Sequence, residues 1–466
     1  MSELINFIYL ISAVLFMMGL KNLSSPVTAR RGNNLSMLGM ALAIVATLLN
    51  PDIVSFKLLL LGVAVGAVIG GVAAVKVEMT SMPEMVALFN GCGGAASALV
   101  ALAEFQGSGH QLAGFGLITL LLSIIIGALT FTGSLIAFGK LKGLVASRPI
   151  VYPGQQVVNG LFCLVMVGLA VGVYQDTANL LFFYGLLGLS LLLGVLAVIP
   201  IGGADMPVII SLLNSYSGLA VSMTGFALRN NALIVVGSLV GASGLFLTKI
   251  MCDAMNRSLA NVLFGAFGAA ADSGGGPAAG PGGPTTGAVK GYEIEDVVTV
   301  LENAESLIIV PGYGMAAAQA QHAVRELGEH LQNAGAAVRY AIHPVAGRMP
   351  GHMNVLLAEA DVPYELLFAM EDINDDFTET DVVLVIGAND VVNPAAKTNP
   401  GSPIYGMPVL NVELARTVIV LKRSMNPGFA GIENELFLKD NTMMLFGDAK
   451  KTVQQLVSAL KGPGKY

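Results

Sequence analysis

Nine apolar segments run through the front of the chain, at roughly residues 4–20, 35–50, 58–75, 84–102, 115–138, 157–174, 180–199, 206–228 and 232–250. Most approach the ~20 residues an α-helix needs to cross about 30 Å of hydrocarbon. Charge is almost absent within them. In lipid no water satisfies backbone N–H and C=O groups, so such runs are confined to helices, whose hydrogen bonds close within the segment. A large soluble protein can bury a helix or two of this kind, but so many uncharged runs in one chain are a membrane pattern. The second segment is short and is bounded by Pro51, so its edges are the least defined.

Charge divides the chain in two. Only 12% of the 466 residues are charged and 54% are hydrophobic, where soluble globular chains are about one-quarter charged. Residues 1–272 carry 11 Lys+Arg and 9 Asp+Glu, net +2, while residues 289–466 carry 13 and 22, net −9. The expected domains are therefore a transmembrane domain over 1–272 and an acidic soluble domain over 289–466. Between them "SGGGPAAGPGGPTTGA" (273–288) supports neither strand nor helix and is expected to be a flexible linker. No nucleic-acid partner is expected, since that would call for a basic face.

Loop charges set the orientation. One set of alternate loops holds Lys21, Arg30, Arg31, Lys76, Lys140, Lys142, Arg148, Lys249 and Arg257; the other holds Lys57 and Arg229. The basic set belongs on the cytoplasmic side. With nine spans the N-terminus is then outside, and everything after residue 250 is inside. The first apolar segment lacks a basic leader and is expected to be a retained helix rather than a cleaved signal. Glycines four apart, Gly62, Gly66 and Gly70, Gly168 and Gly172, Gly237 and Gly241, suit close helix packing in lipid. Cys92, Cys163 and Cys252 form no CxxC pair, and neither a disulfide framework nor a metal site is expected.

Beyond the linker, strand and helix patterns alternate. Strands are expected at 306–311, 337–342, 381–387, 408–411, 417–421 and 443–446, and helices at 315–333, 352–360 and 449–460, as a doubly wound, mostly parallel α/β sheet. Within "IIVPGYGMAAAQAQHAVREL" (308–327), a strand runs into Gly312, Tyr313 and Gly314 and then into a helical stripe. A strand–glycine turn–helix unit is the arrangement that places a pyrophosphate on a helix N-terminus. The second strand, "AVRYAIHP", ends without the acid that would hold an NAD ribose. Lys422, Arg423 and Ser424 follow another strand and combine a point charge, a guanidinium fork and a hydroxyl, the donors a phosphate dianion accepts. Together these favour NADP(H) over NAD(H). No Ser/His or Cys/His pairing occurs at a credible spacing, and Asp375-Asp376 reads as a solvated loop. Hydride transfer between two nicotinamides requires none of these groups, because the cofactors carry the reaction.

The ordered set "IGGADMP" (201–207), "LNSYSG" (213–218), "CDAMNRS" (252–258), "VPGYGMAAAQAQ" (310–321), "HPVAGRMPGHMNVLLAEA" (343–360), "EDINDDF" (371–377), "VIGANDVVNPAA" (385–396), "KRSMNPGFAG" (422–431) and "GDAK" (447–450) resembles the beta-subunit family of proton-translocating NAD(P) transhydrogenases, over essentially the whole chain. The resemblance implies a Rossmann-like domain that binds NADP(H) in a reversed orientation. It implies contacts from Tyr313 beside Gly312 and Gly314, and from the loop Val345, Ala346, Gly347, Arg348, Met349 and Pro350. Gly387, Ala388, Asn389, Asp390 and Val391 would line the nicotinamide side, with Gly406 and Met407 nearby. Lys422, Arg423 and Ser424 would seat the 2′-phosphate. Met425, Asn426, Pro427, Gly428 and Phe429 would form a lid, and Asp448 and Ala449 would complete the site. It further implies a partner alpha subunit carrying NAD(H), a dimer of the alpha–beta unit, a bacterial inner membrane, and hydride transfer coupled to proton passage. A transporter or channel that senses NADP(H) without redox chemistry is the alternative.

No histidine lies in the apolar segments, and Asn90 stands where some family members have one. An Asn cannot exchange a proton near neutral pH. The relay then uses either the partner subunit or water past Asn90, Ser97, Thr130, Ser134, Asn214, Ser215 and Ser222, a set that helix–helix hydrogen bonding would equally explain. Asp205 and Arg257, at cytoplasmic ends of spans, are either anchors or, as the resemblance implies, a coupling junction.

Overall fold

The computed structural model describes residues 2–23, 26–49, 56–78, 81–107, 114–146, 149–255, 258–260, 262–263, 291–349, 351–402, 404–428 and 430–462. The linker 273–288 and the candidate residues Arg257, Pro350 and Phe429 lie outside the described residues. The chain divides into two compact units, one running through Lys249 and one carrying residues 291–462.

The first unit is helical: α1 (Ser2–Leu23), α2 (Pro26–Leu48), α3 (Phe56–Lys76), α4 (Met82–Gly107), α5 (Gly114–Leu141), α6 (Gln155–Gln175), α7 (Leu180–Val198) and α8 (Met206–Ala227), followed by α9 (Asn231–Ala254). Each apolar segment corresponds to one of them, with ends that agree to within a few residues except at the start of α2. Eight are long and apolar enough to cross a membrane; α2 is the exception. Its helix begins nine residues before the apolar stretch does, and its first turns carry Arg30, Arg31, Asn33 and Asn34.

Helices α4, α5 and α8 pack on one another, and α7 packs on α5. A Cβ on Gly94 of α4 would lie 2.8 Å from the Gly127 carbonyl of α5, and one on Gly127 would lie 2.6 Å from the Gly94 carbonyl. The two backbones therefore touch, and any side chain there would drive the helices apart. Gly237 likewise meets the Ser222 backbone of α8. The expectation fails for Gly62, Gly66, Gly70 and Gly168, around which a Cβ would meet nothing within 4 Å. No residue of α3 is buried, so its stripe packs on nothing among the described residues of this chain.

The second unit holds β1 (Ser306–Pro311), β2 (Ala337–Ile342), β3 (Leu367–Ala369), β4 (Val382–Ile386), β5 (Thr417–Lys422) and β6 (Thr442–Phe446). All pair in parallel, in the order β3-β2-β1-β4-β5-β6, so the direction of winding reverses between β1 and β4. Buried on both faces, the central strands are unbroken apolar runs such as "VVLVI" of β4. One face packs Val310, Val385 and Val420 against Phe377, Leu410 and Phe437. Its helices include α10 (Ile294–Glu302), α11 (Tyr313–Ala317), α12 (Gln321–Asn333), α13 (His352–Glu359) and α14 (Ala449–Lys461), with α14 lying against α10 and α12, beside two four-residue turns of helix at Met370–Ile373 and Ala395–Thr398.

Three sequence expectations are corrected. The helix expected over 315–333 is two, broken at Gln319, whose φ is 51°. Ala320 N–H turns back to the Met315 carbonyl and closes the first piece. No Gly or Asn marks that break. The apolar stretch 408–411 is not a strand. Its backbone partners are side chains and a loop: Asn374 Nδ2 donates to the Val409 carbonyl (3.1 Å), Asn411 N–H to Asn374 Oδ1 (2.8 Å), and Leu410 N–H to the Val391 carbonyl (3.0 Å). The sixth strand is instead the three-residue edge β3, too short to leave a period-2 signal. Asp376, expected in a solvated loop, is held by Arg339 of β2.

Candidate functional site

The C-terminal ends of β1, β4, β5 and β6 converge on a cleft of about 250 Å³, lined by Tyr313, Gly314, Ala318, Gly387, Ala388, Asn389, Leu421, Lys422, Arg423, Ser424, Asn426, Pro427, Gly428, Gly447 and Ala449. Twelve of these fifteen are candidates from the sequence; Ala318, Leu421 and Gly447 are additions. Leu421 is the penultimate residue of β5 and Gly447 follows β6, so only strand order could have selected them. In an open parallel sheet a crevice of this kind forms beyond the strand ends where the winding reverses.

Bare backbone makes the floor. A Cβ on Gly314 would lie 2.6 Å from Gly387 Cα, and Gly387 itself sits at φ +65° with Gly314 pressed against it. Gly312 N–H donates to the Ile386 carbonyl (2.9 Å), Gly314 N–H to Gly387 O (2.9 Å) and Met315 N–H to Gly312 O (3.1 Å). These amides of the glycine turn are thus engaged by the β4 loop and by the turn itself. These bonds occupy three amides of the turn, and α11 is only five residues long. The basic residues expected after β5 lie across the cleft.

There, β5 ends in Lys422, half-buried, followed by the exposed Arg423 and Ser424. Lys422 Nζ donates to the Asn426 carbonyl (3.0 Å) and lies 4.6 Å from the Phe437 ring centroid. Burial pulls its pKa below the ordinary lysine value, and Asp390 opposes that pull. A partly dehydrated ammonium held at a cleft edge is primed for an anion. Asp390 Oδ2 accepts from Ala430 N–H (3.0 Å), and a Cβ on Gly428 would strike the Asp390 carboxylate, so Gly428 and Ala430 lie against the loop after β4. Exposed Met425 belongs to the same segment.

The remaining described candidates are not among the residues lining the cleft. Arg348 carries its guanidinium 4.5 Å over the Tyr313 ring. Behind it, the loop of Val345, Ala346, Gly347, Arg348 and Met349 is pinned by two buried imidazoles. His343 Nε2 donates to the Pro408 carbonyl (2.8 Å) and its Nδ1 accepts from Val345 N–H (3.2 Å). His352 Nδ1 accepts from Arg348 N–H (3.1 Å). Burial pushes both down to about 4, aided at His352 by the Arg348 charge, so both are neutral near pH 7. Neither histidine is prominent in the sequence, where they read only as ends of a motif. Asp448 caps α14 by accepting from Lys451 N–H (3.2 Å) beside Ala449. Met407 packs against Ala396, Ile404 and Val409, and Gly406 N–H donates to Ala396 O (2.8 Å); neither lines the cleft, nor does Val391.

In the helical unit, Asn90 joins three helices. Its Nδ2 donates to Ser134 Oγ of α5 (3.0 Å), and its Oδ1 accepts from Ser217 Oγ of α8 (2.7 Å). Ser215 Oγ donates to Gly241 O (2.7 Å) and Ser222 pairs with Ser238 (3.1 Å), tying α8 to α9. Thr130 and Ser97 bond back to their own helices, at Ile126 O and Gly93 O. Asn214 is half-buried on α8. Asp205 ends a short 3₁₀ turn, Gly203–Asp205, ahead of α8, and the buried Lys140 Nζ grips the Ile199 and Ile201 carbonyls just before it (both 2.6 Å). Helix-to-helix bonding thus accounts for most of the polar set.

A bundle of membrane-length helices followed by a parallel sheet with a cleft at its winding reversal defines a membrane protein with a doubly wound α/β unit. The family model described as NAD(P) transhydrogenase beta subunit matches residues 5–459. The NAD(P) transhydrogenase subunit beta of Rhodospirillum rubrum is 51% identical over 459 residues, covering 97% of this chain and 98% of that protein. A strain-level sequence of the same organism matches to the same extent. The chain belongs to the NAD(P) transhydrogenase beta-subunit family.

Proposed function

We propose that this chain holds NADP(H) in the α/β cleft, that a partner alpha subunit holds NAD(H), and that hydride exchange between them is coupled to proton passage through the helical unit. The observation that carries the reading is the convergence of Lys422, Arg423 and Ser424 with the glycine floor at the winding reversal. The donor set fits a nucleotide bearing an extra phosphate: an ammonium, a guanidinium and a hydroxyl together, where an NAD site would want an acid. The sheet order matches the doubly wound dinucleotide-binding arrangement, which supports a Rossmann-like assignment. With three amides of the glycine turn bonded within the fold, the reading gives the extra phosphate to the β5 side, in keeping with a reversed nucleotide.

When bound, NADP(H) would supply a nicotinamide for direct hydride exchange with NAD(H), which requires no protein acid or base. The chain's own residues bind, orient and exclude water. Lys422, Arg423 and Ser424 take the 2′-phosphate; Gly387, Ala388, Asn389, Asp390 and Val391 border the nicotinamide; Tyr313 and Val345 to Pro350 close one wall. Met425 to Phe429 act as the lid, with Asp448 and Ala449 at the base and Gly406 and Met407 behind.

The same reading takes 1–272 as nine spans with the N-terminus outside, 273–288 as a tether and 289–466 as the cytoplasmic NADP(H) domain, in a bacterial inner membrane and in a dimer of the alpha–beta unit. Asn90, Asn214 and Ser215 line or brace the proton path, and Asp205 and Arg257 couple it to nucleotide affinity. By linkage, protonation and NADP(H) affinity must shift each other equally. Titration of the purified full-length chain with NADPH and NADH tests the cofactor assignment: a clear preference for NADPH is expected, and equal affinity overturns it. Reconstituted with the alpha partner, Asp205→Asn should depress hydride exchange and proton pumping together; wild-type rates would leave Asp205 an anchor.

A further inference from the structure

His352 opens α13 and is fully buried, yet it is not among the residues lining the cleft. The ring is bonded at Nδ1, which accepts the Arg348 N–H at 3.1 Å. An acceptor Nδ1 places the ring proton on Nε2, and Nε2 is buried with no hydrogen-bond partner among the described residues. A ring that tolerates one orphaned N–H is held there for what its other nitrogen does.

What it holds is the backbone of a loop with unusual geometry. Gly347 sits at φ +106°, and a Cβ there would collide with His352 Nδ1, so the chain wraps the imidazole edge at a distance only glycine permits. One residue on, Arg348 carries its guanidinium 4.5 Å over the ring of Tyr313, which lines the cleft. The far end of the loop is pinned separately by His343, through Pro408 and Val345. A continuous chain of contacts therefore runs from the His352 ring to the Arg348 backbone, to its guanidinium, to the cleft wall.

We infer that His352 is a positioning residue for the NADP(H) cleft: its Nδ1 fixes the Arg348 backbone so that the guanidinium covers Tyr313 and presents charge to the bound nucleotide. The inference rests on the cofactor assignment above and deepens it. His352 touches no cofactor itself. The role needs an acceptor at the Nδ1 position, and neither the ring's proton nor its volume would serve instead.

That requirement sets the test, made on the full-length chain assembled with its alpha partner. Asn carries an amide oxygen near the Nδ1 position, whereas Leu keeps the bulk and removes the acceptor. His352→Asn should bind NADPH within about threefold of wild type, and His352→Leu should weaken it about tenfold or more, as expected for loss of one hydrogen bond to an ordered loop. Equal binding by the two variants overturns the inference. Arg348→Ala supplies the second arm through a double-mutant cycle. If His352 acts through Arg348, His352→Leu should change NADPH affinity little in the Arg348→Ala background. Additive losses would mean that His352 only supports the fold, and the inference would fail. Failure of the cofactor assignment looks different: wild type would then show no preference for NADPH at all.

Discussion

Gly387→Ala puts the glycine floor of the cleft to the test. Gly387 lies at φ +65°, where an L side chain costs roughly 1–2 kcal/mol through its Cβ. Its Cβ would also be pressed into the Gly314 backbone, which belongs to the β1 turn and cannot swing aside as a side chain can. Overpacking of this kind adds about 1–3 kcal/mol. The sum is on the order of 3 kcal/mol, or about 6–12 °C in the melting midpoint of a unit this size. Gly431→Ala is the control, because Gly431 has φ +70° and a Cβ there meets nothing within 4 Å. It should lose only the backbone part, about 1–2 kcal/mol. Thermal melting of the full-length chain in detergent reads both, and NADPH titration reads the cleft. Gly387→Ala should melt lower and bind NADPH more weakly; Gly431→Ala should melt only slightly lower. If the two melted alike, the close backbone approach of the β1 and β4 loops would not be what requires glycine there.

Arg423→Ala should weaken NADPH by about 1.5–3 kcal/mol, the worth of a hydrogen bond to a charged group, and leave NADH within a few tenths, as isothermal titration would show. His343 and His352 are held near 4 in the folded chain, against 6.5 unperturbed. The unfolded chain therefore takes up two protons that the folded one refuses, so stability is full above about pH 6.5 and falls as pH drops toward 4. A melting series from pH 7 to 4 should show this fall, and it should be shallower in His343→Gln. Asn90→Leu removes two interhelical hydrogen bonds and should destabilise the helical unit by about 1–3 kcal/mol, seen in its denaturant midpoint, while NADPH titration stays at the wild-type Kd.

Much of the fold is legible because its causes are local. An uncharged apolar run has one outcome in lipid, and each such run corresponds to a helix, most with ends within a few residues of the apolar stretch. The parallel strands likewise announce themselves as short buried runs, and five of the six expected strands formed. The errors share a cause. Residues 408–411 look like a strand, but side chains of Asn374 and a loop carbonyl took their backbone partners. The break at Gln319 carries no glycine, because hydrogen bonds that close α11 decide it.

The chain's pattern alone determined that helices long and apolar enough to cross a membrane form, that a parallel sheet follows, and that Lys422, Arg423 and Ser424 stand at a strand's end. Each of these depends on neighbours within a few residues. Only the tertiary structure decided which amides of the glycine turn are already bonded, that Arg348 lies over Tyr313, and that His352 sits behind the loop that carries it. The same holds for Asn90, whose partners Ser134 and Ser217 lie 44 and 127 residues away. A cleft made from the ends of four strands is a set of long-range contacts, and no spacing along the chain specifies which groups meet there.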